Sequence, residues 1–146
     1  MNDPRQPQSP WTVAQAREVY NTTRWGGGYF EIDDGGRVRV RSPRHPGHPG
    51  VDLSALAGDL RARGYGLPVL ARFDHILHDR VDTLCDAFAA AIADLDYQGG
   101  YTAVYPIKVN QQRRVVSEIV RHGGPRVGLE AGSKAELLIA LAALSQ

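Results

Sequence analysis

The chain has 146 residues, 17 basic and 16 acidic side chains, and 42% hydrophobic content, which suits one ordinary domain of roughly 100–200 residues with a core of its own. A formal net charge of +1 lacks the basic excess that nucleic-acid binding needs, and a single cysteine, Cys85, excludes an internal disulfide. No run reaches the roughly 20 apolar residues that cross a bilayer, and the polar start Met1–Gln8 lacks the apolar stretch of a secretion signal, so a cytoplasmic protein without a membrane partner is expected.

Residues 1–10 hold three prolines and few apolar side chains, and are expected to form a loose tail. Thr12 is placed to cap a short helix through about Tyr20, with Val13, Ala16 and Tyr20 near one face. In Trp25-Gly-Gly-Gly-Tyr-Phe30 the glycines supply a bend or a close backbone approach. Residues 28–33 and 37–41 predict two strands around Asp33-Asp-Gly-Gly36, because Asp-Gly and Gly-Gly accept the positive φ of a hairpin turn. Ser42 to Gly50 carries three prolines and two glycines and reads as a linker.

From Asp52 the pattern changes. Asp52 can cap a helix ending near Gly64, with Leu53, Leu56, Ala57 and Leu60 on one face. The short apolar run Leu67-Pro-Val-Leu-Ala-Arg-Phe73 predicts a buried strand. Asp74 then caps a long helix to about Leu95, whose apolar positions Leu77, Val81, Leu84, Phe88, Ile92 and Leu95 step by three or four. Tyr101 to Asn110 is the next predicted strand. Gln111 to His122 is a helix with Val115, Val116, Ile119 and Val120 inward, stopped by Gly123-Gly-Pro125. Arg126 to Glu130 is a third strand, and Ser133 caps a last helix containing Leu137, Leu138, Leu141 and Leu144.

Three strands each followed by a helix imply parallel strands with crossover helices, covered on both faces. A closed barrel takes eight such units. The expected organisation is a tail (1–10), a helix, hairpin and linker (11–50), and a run of βα units (51–146), which the resemblance given below makes the first part of a barrel. The last helix reaches Gln146 with neither Gly nor Pro to end it, so the sequence reads as the opening part of something larger. The other organisation left open is a small α/β sheet complete in itself, which uncovered edge strands disfavour.

Only two of the 17 basic residues are lysines, Lys108 and Lys134. Alternation along the predicted strand puts Pro106, Lys108 and Asn110 on one face. An ammonium at the C-terminal end of a buried parallel strand is costly unless paired or neutral. Barrel active sites lie at that end, and a neutral amine is the form that attacks a carbonyl, such as the aldehyde of pyridoxal phosphate. The competing reading is a strand-end lysine whose charge reaches water. In Glu130-Ala-Gly-Ser-Lys-Ala-Glu136, Ser133 and Glu136 can form a capping box, while Glu130 would point into the same mouth as Lys108. This is either a carboxylate set beside a cofactor or cationic substrate, or a plain helix cap. Lys134 reads as a solvated surface charge. Arg72 could reach the mouth or pair with Asp74. His45 and His48, in a Pro/Gly linker without a carboxylate or Cys set, read as exposed loop, and His75 and His78 are treated alike. Cys85 reads as core. Gly26-Gly-Gly28 lacks the Lys-Ser/Thr of a phosphate loop.

Tyr105-Pro-Ile-Lys-Val-Asn-Gln-Gln112 carries a resemblance, together with Trp25-Gly-Gly-Gly-Tyr-Phe30, Asp52-Leu53, Leu67–Phe73, Tyr97-Gln-Gly and Gly128-Leu-Glu-Ala-Gly-Ser-Lys-Ala-Glu-Leu137. From Trp11 onward the chain resembles the amino-terminal part of biosynthetic, agmatine-forming arginine decarboxylase. Tyr-x-x-Lys alone is shared by many pyridoxal-phosphate barrels; the combination is far more specific. The resemblance implies a barrel of the alanine-racemase type with a second all-β domain, to which the hairpin at 28–41 would belong. It implies that Lys108 holds pyridoxal phosphate covalently, and that Glu130, Ser133 and Glu136 lie near the cofactor and the mouth. The implied reaction is loss of carbon dioxide from L-arginine to give agmatine for polyamine synthesis, by a homo-oligomer when full length. Magnesium is implied by the family alone, since the sequence shows no metal-ligand cluster. The family's glycine-rich phosphate loop, pyridine-nitrogen acid, ring-stacking histidine and catalytic cysteine match nothing up to Gln146, and Cys85 does not match that cysteine. The 146-residue chain alone is therefore expected to be inactive. Two other readings stay open: a non-catalytic module that pairs with a decarboxylase subunit, and a short pyridoxal-phosphate barrel protein, which three βα units cannot supply.

Overall fold

The computed structural model describes residues 10–145, so all of the expected tail but Pro10 lies outside the described residues. These residues form two compact units, divided between Leu70 and Ala71.

The first unit begins with α1 (Val13–Tyr20) and the single turn α2 (Thr22–Trp25). Thr12 caps α1 as expected: its hydroxyl accepts from the Gln15 backbone N–H, and the Gln15 carboxamide accepts from the Thr12 N–H. Of the expected face, Ala16 is buried, whereas Tyr20 is exposed. At Gly26 a Cβ would lie 2.5 Å from the Thr22 carbonyl oxygen and 2.7 Å from that of Phe30, so the glycine run serves a close backbone approach. The hairpin forms where expected. Strands β1 (Phe30–Ile32) and β2 (Val38–Val40) pair antiparallel, with Ile32 opposite Val38. Asp33 builds the turn, its carboxylate accepting from the Gly35 and Arg37 N–H groups.

The linker expected up to Gly50 ends in a two-residue strand, β3 (Val51–Asp52), which pairs antiparallel with β2. Asp52 then caps α3 (Leu53–Ala62), accepting from the Ser54 and Ala55 N–H groups. Leu53, Leu56, Ala57 and Leu60 are its half-buried side, as their spacing predicts. Because β3 is hydrogen-bonded to the hairpin and α3 packs on β2, the stretch 51–70 belongs with the hairpin unit. The compact unit thus ends about twenty residues later than the expected boundary at residue 50. Arg39 in β2, and Arg37 and Arg41 just before and after it, pair with Asp33, Asp52 and Glu31 respectively. Beneath these pairs Val40 is completely buried.

Leu67–Phe73 is not a strand. Leu67, Val69 and Leu70 are exposed, and the segment has no partner strand among the described residues. An apolar run becomes a strand only when its N–H and C=O groups are paired and its side chains covered.

The second unit contains the helix α4 (Asp74–Asp94), then β4 (Ala103–Pro106), a 3₁₀ turn (Ile107–Val109), α5 (Arg113–Gly123), a second 3₁₀ turn (Gly124–Arg126), β5 (Val127–Glu130) and α6 (Lys134–Leu144). Strands β4 and β5 pair parallel, Ala103 with Val127 through Pro106 with Glu130, joined by α5 as the crossover. The strand expected over 101–110 therefore stops at Pro106. The core is Ile107, Val116 and Ala140, with Tyr105, Leu129, Ile139 and Ala143 packed against it. At Gly123 a Cβ would lie 2.3 Å from Val127, so the end of α5 needs a residue with no side chain in order to turn into β5. Phe73 rather than Asp74 is the N-cap of α4. Its expected apolar stripe is half open, with Leu84 and Phe88 exposed, while Cys85 is buried as expected.

Candidate active site

The tip of β4 positions the first candidate. Ile107, wholly buried, pulls the backbone out of extended geometry into the core, and the chain tightens into the 3₁₀ turn. Lys108 sits in that turn and is exposed. The alternation expected of Pro106, Lys108 and Asn110 is thus replaced by a turn with a buried and an exposed side. The burial cost anticipated for Lys108 does not arise, because its side chain reaches solvent and forms no ion pair among the described residues. The turn is fastened on its far side: the Tyr105 hydroxyl donates to the Asn110 carbonyl at 3.2 Å, and the Asn110 side-chain oxygen accepts from the Gln112 N–H at 2.9 Å. Burial pushes the Tyr105 phenol up, because the charged phenolate is the form that loses solvation.

The parallel register brings a carboxylate to the same end of the sheet. Pro106 pairs with Glu130, the half-buried last residue of β5, so Lys108 lies two residues beyond the partner of Glu130. After β5, Ser133 caps α6 and accepts from the Glu136 N–H at 3.2 Å. The Glu136 carboxylate accepts from the Gly132 N–H at 2.7 Å, one residue earlier than the reciprocal capping-box bond to Ser133. Both Ser133 and Glu136 are therefore engaged in shaping the segment that follows Glu130.

The remaining candidates fall elsewhere. Lys134 is exposed in the first turn of α6, and Arg72 is exposed. Asp74 pairs with Arg114 at 2.6 Å rather than with Arg72. His45 and His48 lie in the exposed loop of the first unit, where His48 Nδ1 accepts from the Gly50 N–H. His78 departs from its surface reading. It is half-buried, stacks on His122 at 4.2 Å between ring centroids, and lies 2.9 Å from a Glu118 oxygen. His122 in turn meets Asp82 at 2.9 Å, and Arg126 meets the other Asp82 oxygen at 2.7 Å.

These contacts clamp α4 to α5 in steps that each join residues 40 apart: Asp74 with Arg114, His78 with Glu118, Asp82 with His122. Partial burial pushes the Asp82 carboxyl up, but the bonds from Arg126 and His122 outweigh it and hold the group below the usual carboxylate range. Glu118 is lowered by its bonds to Arg121 and then His78. Spacing within either helix does not reveal this cluster. Among the described residues no group of three His, Cys, Asp or Glu side chains could hold a metal ion. No described helix is long and apolar enough to cross a membrane.

A parallel pair of strands joined by a crossover helix, with an exposed lysine just beyond the C-terminal tip of the first, places the second unit in the mixed α/β class. In sequence, the chain matches a stretch of the biosynthetic arginine decarboxylases. It is 58% identical over 134 residues to the biosynthetic arginine decarboxylase of Alkalilimnicola ehrlichii and 53% identical to that of Pseudomonas aeruginosa, in each case covering 92% of this chain and 21% of the relative. The chain thus spans about a fifth of the length of these curated relatives. Its structure is similar to the crystal structure of biosynthetic arginine decarboxylase from Campylobacter jejuni, with a TM-score of 0.75 at 36% identity, covering 84% of this chain and 20% of that one. The chain matches none of the protein-family models compared.

Proposed function

We propose that this chain supplies the lysine-bearing opening segment of a pyridoxal-phosphate-dependent arginine decarboxylase, converting L-arginine to agmatine and carbon dioxide. The observation that carries the reading is the placement of Lys108, an exposed primary amine in the turn directly after β4, at the sheet end where the paired strand finishes in Glu130. An accessible amine at a strand tip fits what an aldehyde cofactor asks of this segment. Bound there, pyridoxal phosphate would act as the electron sink for the bond that releases carbon dioxide.

The chain's own residues divide the remaining work. Lys108 holds the cofactor. Glu130 places a negative charge beside the site, suited to a cationic substrate. Ser133 and Glu136 fix the turn that follows Glu130.

The sheet supports a partial barrel. Val104 in β4 is 58% exposed, although strands of this parallel kind are covered on both faces in complete folds. Leu137, Leu138, Leu141 and Leu144 of α6 are likewise exposed. Further βα units would cover such surfaces. The proposed whole is a cytoplasmic homo-oligomer, with magnesium implied by family resemblance alone.

Chain composition makes the test clean, because Lys134 is the one other lysine. Incubation with pyridoxal phosphate, borohydride reduction and peptide mapping should find the pyridoxyl group on Lys108 in excess over Lys134. Equal labelling, or labelling of Lys134 alone, would defeat the assignment. The purified 146-residue chain is expected to release no agmatine from arginine; measurable release would show that it needs no further segment.

A further inference from the structure

The turn that carries Lys108 is held at both of its ends, and only one hold is accounted for by packing. Ile107 anchors it by complete burial against Val116 and Ala140. The second hold is polar: from β4, the Tyr105 hydroxyl reaches over the turn and donates to the Asn110 carbonyl. Asn110 passes the constraint on, because its side chain accepts from the Gln112 N–H just ahead of α5. Lys108 lies between these two holds, on the exposed side.

We infer that Tyr105 is a positioning residue for Lys108, its hydroxyl closing the 105–110 loop so that the amine projects from the strand tip in one orientation. The inference rests on the reading of Lys108 as the cofactor-holding lysine. The chemistry of the contact favours a fixed role. A phenol donating to a main-chain carbonyl constrains the backbone whatever the identity of residue 110. Burial raises the phenol's ionisation range, so the hydroxyl keeps its donor proton through neutral and mildly alkaline pH. The ring is already part of the core packing around Ile107, so removing the oxygen alone separates positioning from packing.

The test is Tyr105→Phe in the 146-residue chain, with Lys134 as internal reference. Both chains are incubated with pyridoxal phosphate, reduced with borohydride over a time course, and mapped. The expected result is a fall of about two- to ten-fold in the ratio of Lys108 to Lys134 labelling, the range set by loss of one ordinary hydrogen bond, with Lys134 labelling and far-UV circular dichroism unchanged. A general loosening of the fold would instead change labelling of both lysines. An unaltered ratio in a variant whose parent prefers Lys108 would overturn the positioning role while leaving the function reading intact. If the parent itself shows no preference for Lys108, the function reading fails first. Should Tyr105→Phe fail to fold, a site-specific difluorotyrosine at position 105 gives a second test. Its hydroxyl loses its proton at a lower pH, so the Lys108 preference should drop on mild alkalinisation in that chain and not in the parent; parallel behaviour of the two would reject the proposal.

Discussion

The two units hold themselves together by different means. In the first, a small antiparallel sheet is tied by Arg–carboxylate pairs on and beside β2, around a single fully buried valine, Val40. In the second, a parallel pair of strands leans on a cluster built around Ile107, and the α4–α5 contact is made by stacked histidines and acids. Half-exposed ion pairs contribute little each, whereas complete burial of an aliphatic side chain contributes several times more. Both units carry many modest contacts; the second adds to them a buried aliphatic cluster of Ile107, Val116 and Ala140. Its largest, Ile107, is the neighbour of Lys108, so fold and proposed chemistry share one turn.

The greatest loss in the second unit should come from Ile107→Ala, about 2–5 kcal/mol by the cost of emptying an aliphatic core site. Denaturant unfolding followed by circular dichroism measures it, and a change near zero would break the contrast between the units. In the first unit, Val40→Ala should cost about 2 kcal/mol, since fewer carbon atoms leave the core; a loss exceeding that of Ile107→Ala would reverse the ranking.

A smaller effect, and one confined to acid, belongs to Asp82. Its carboxyl is held below the ordinary range in the folded chain, so as pH falls the unfolded state takes up the proton first. The stabilisation is complete above the unfolded carboxylate value of about 4 and is lost as pH drops toward the lowered folded value. Asp82→Asn should therefore flatten the fall in stability below about pH 4, read from unfolding midpoints down the acid limb; an acid limb identical to the parent's would remove Asp82 from the account. The smallest change in stability, within about 0.5 kcal/mol, is expected for Lys108→Ala, because the side chain is exposed. The same substitution should abolish pyridoxyl labelling at that turn, separating the part of the tip that folds from the part proposed to react.

Local signals were legible where a residue acts on its own neighbours. Thr12, Asp52 and Ser133 cap the helices their positions predict. The Asp33–Gly36 turn forms because an Asx side chain and two glycines settle the geometry within four residues. Lys108 lies just past the tip of β4, in the turn that replaces the last part of the strand expected over 101–110, so the alternation used to orient it ends at Pro106. Signals failed where the outcome depends on a distant partner. The apolar character of Leu67–Phe73 encodes a demand for cover and says nothing of which strand will supply it. β3 is two residues long, too short for any periodicity. The histidine–acid clamp joins helices whose side chains meet across 40 residues of chain, a relation that spacing within either helix does not contain. The Tyr105 clasp is local in sequence, but the tyrosine reads as one more strand aromatic until the turn is seen to fold back over it.

The parallel pairing of β4 with β5 makes the crossover a ruler. Each residue of β4 meets a partner a constant number of positions later, through α5 and its 3₁₀ exit. Side chains alternate along β5, so shortening that span by one residue would bring Leu129 to the side Glu130 now occupies and turn the carboxylate to the opposite face. The count of residues between Pro106 and Glu130, more than their identity, governs whether an acid stands across from the lysine-bearing turn.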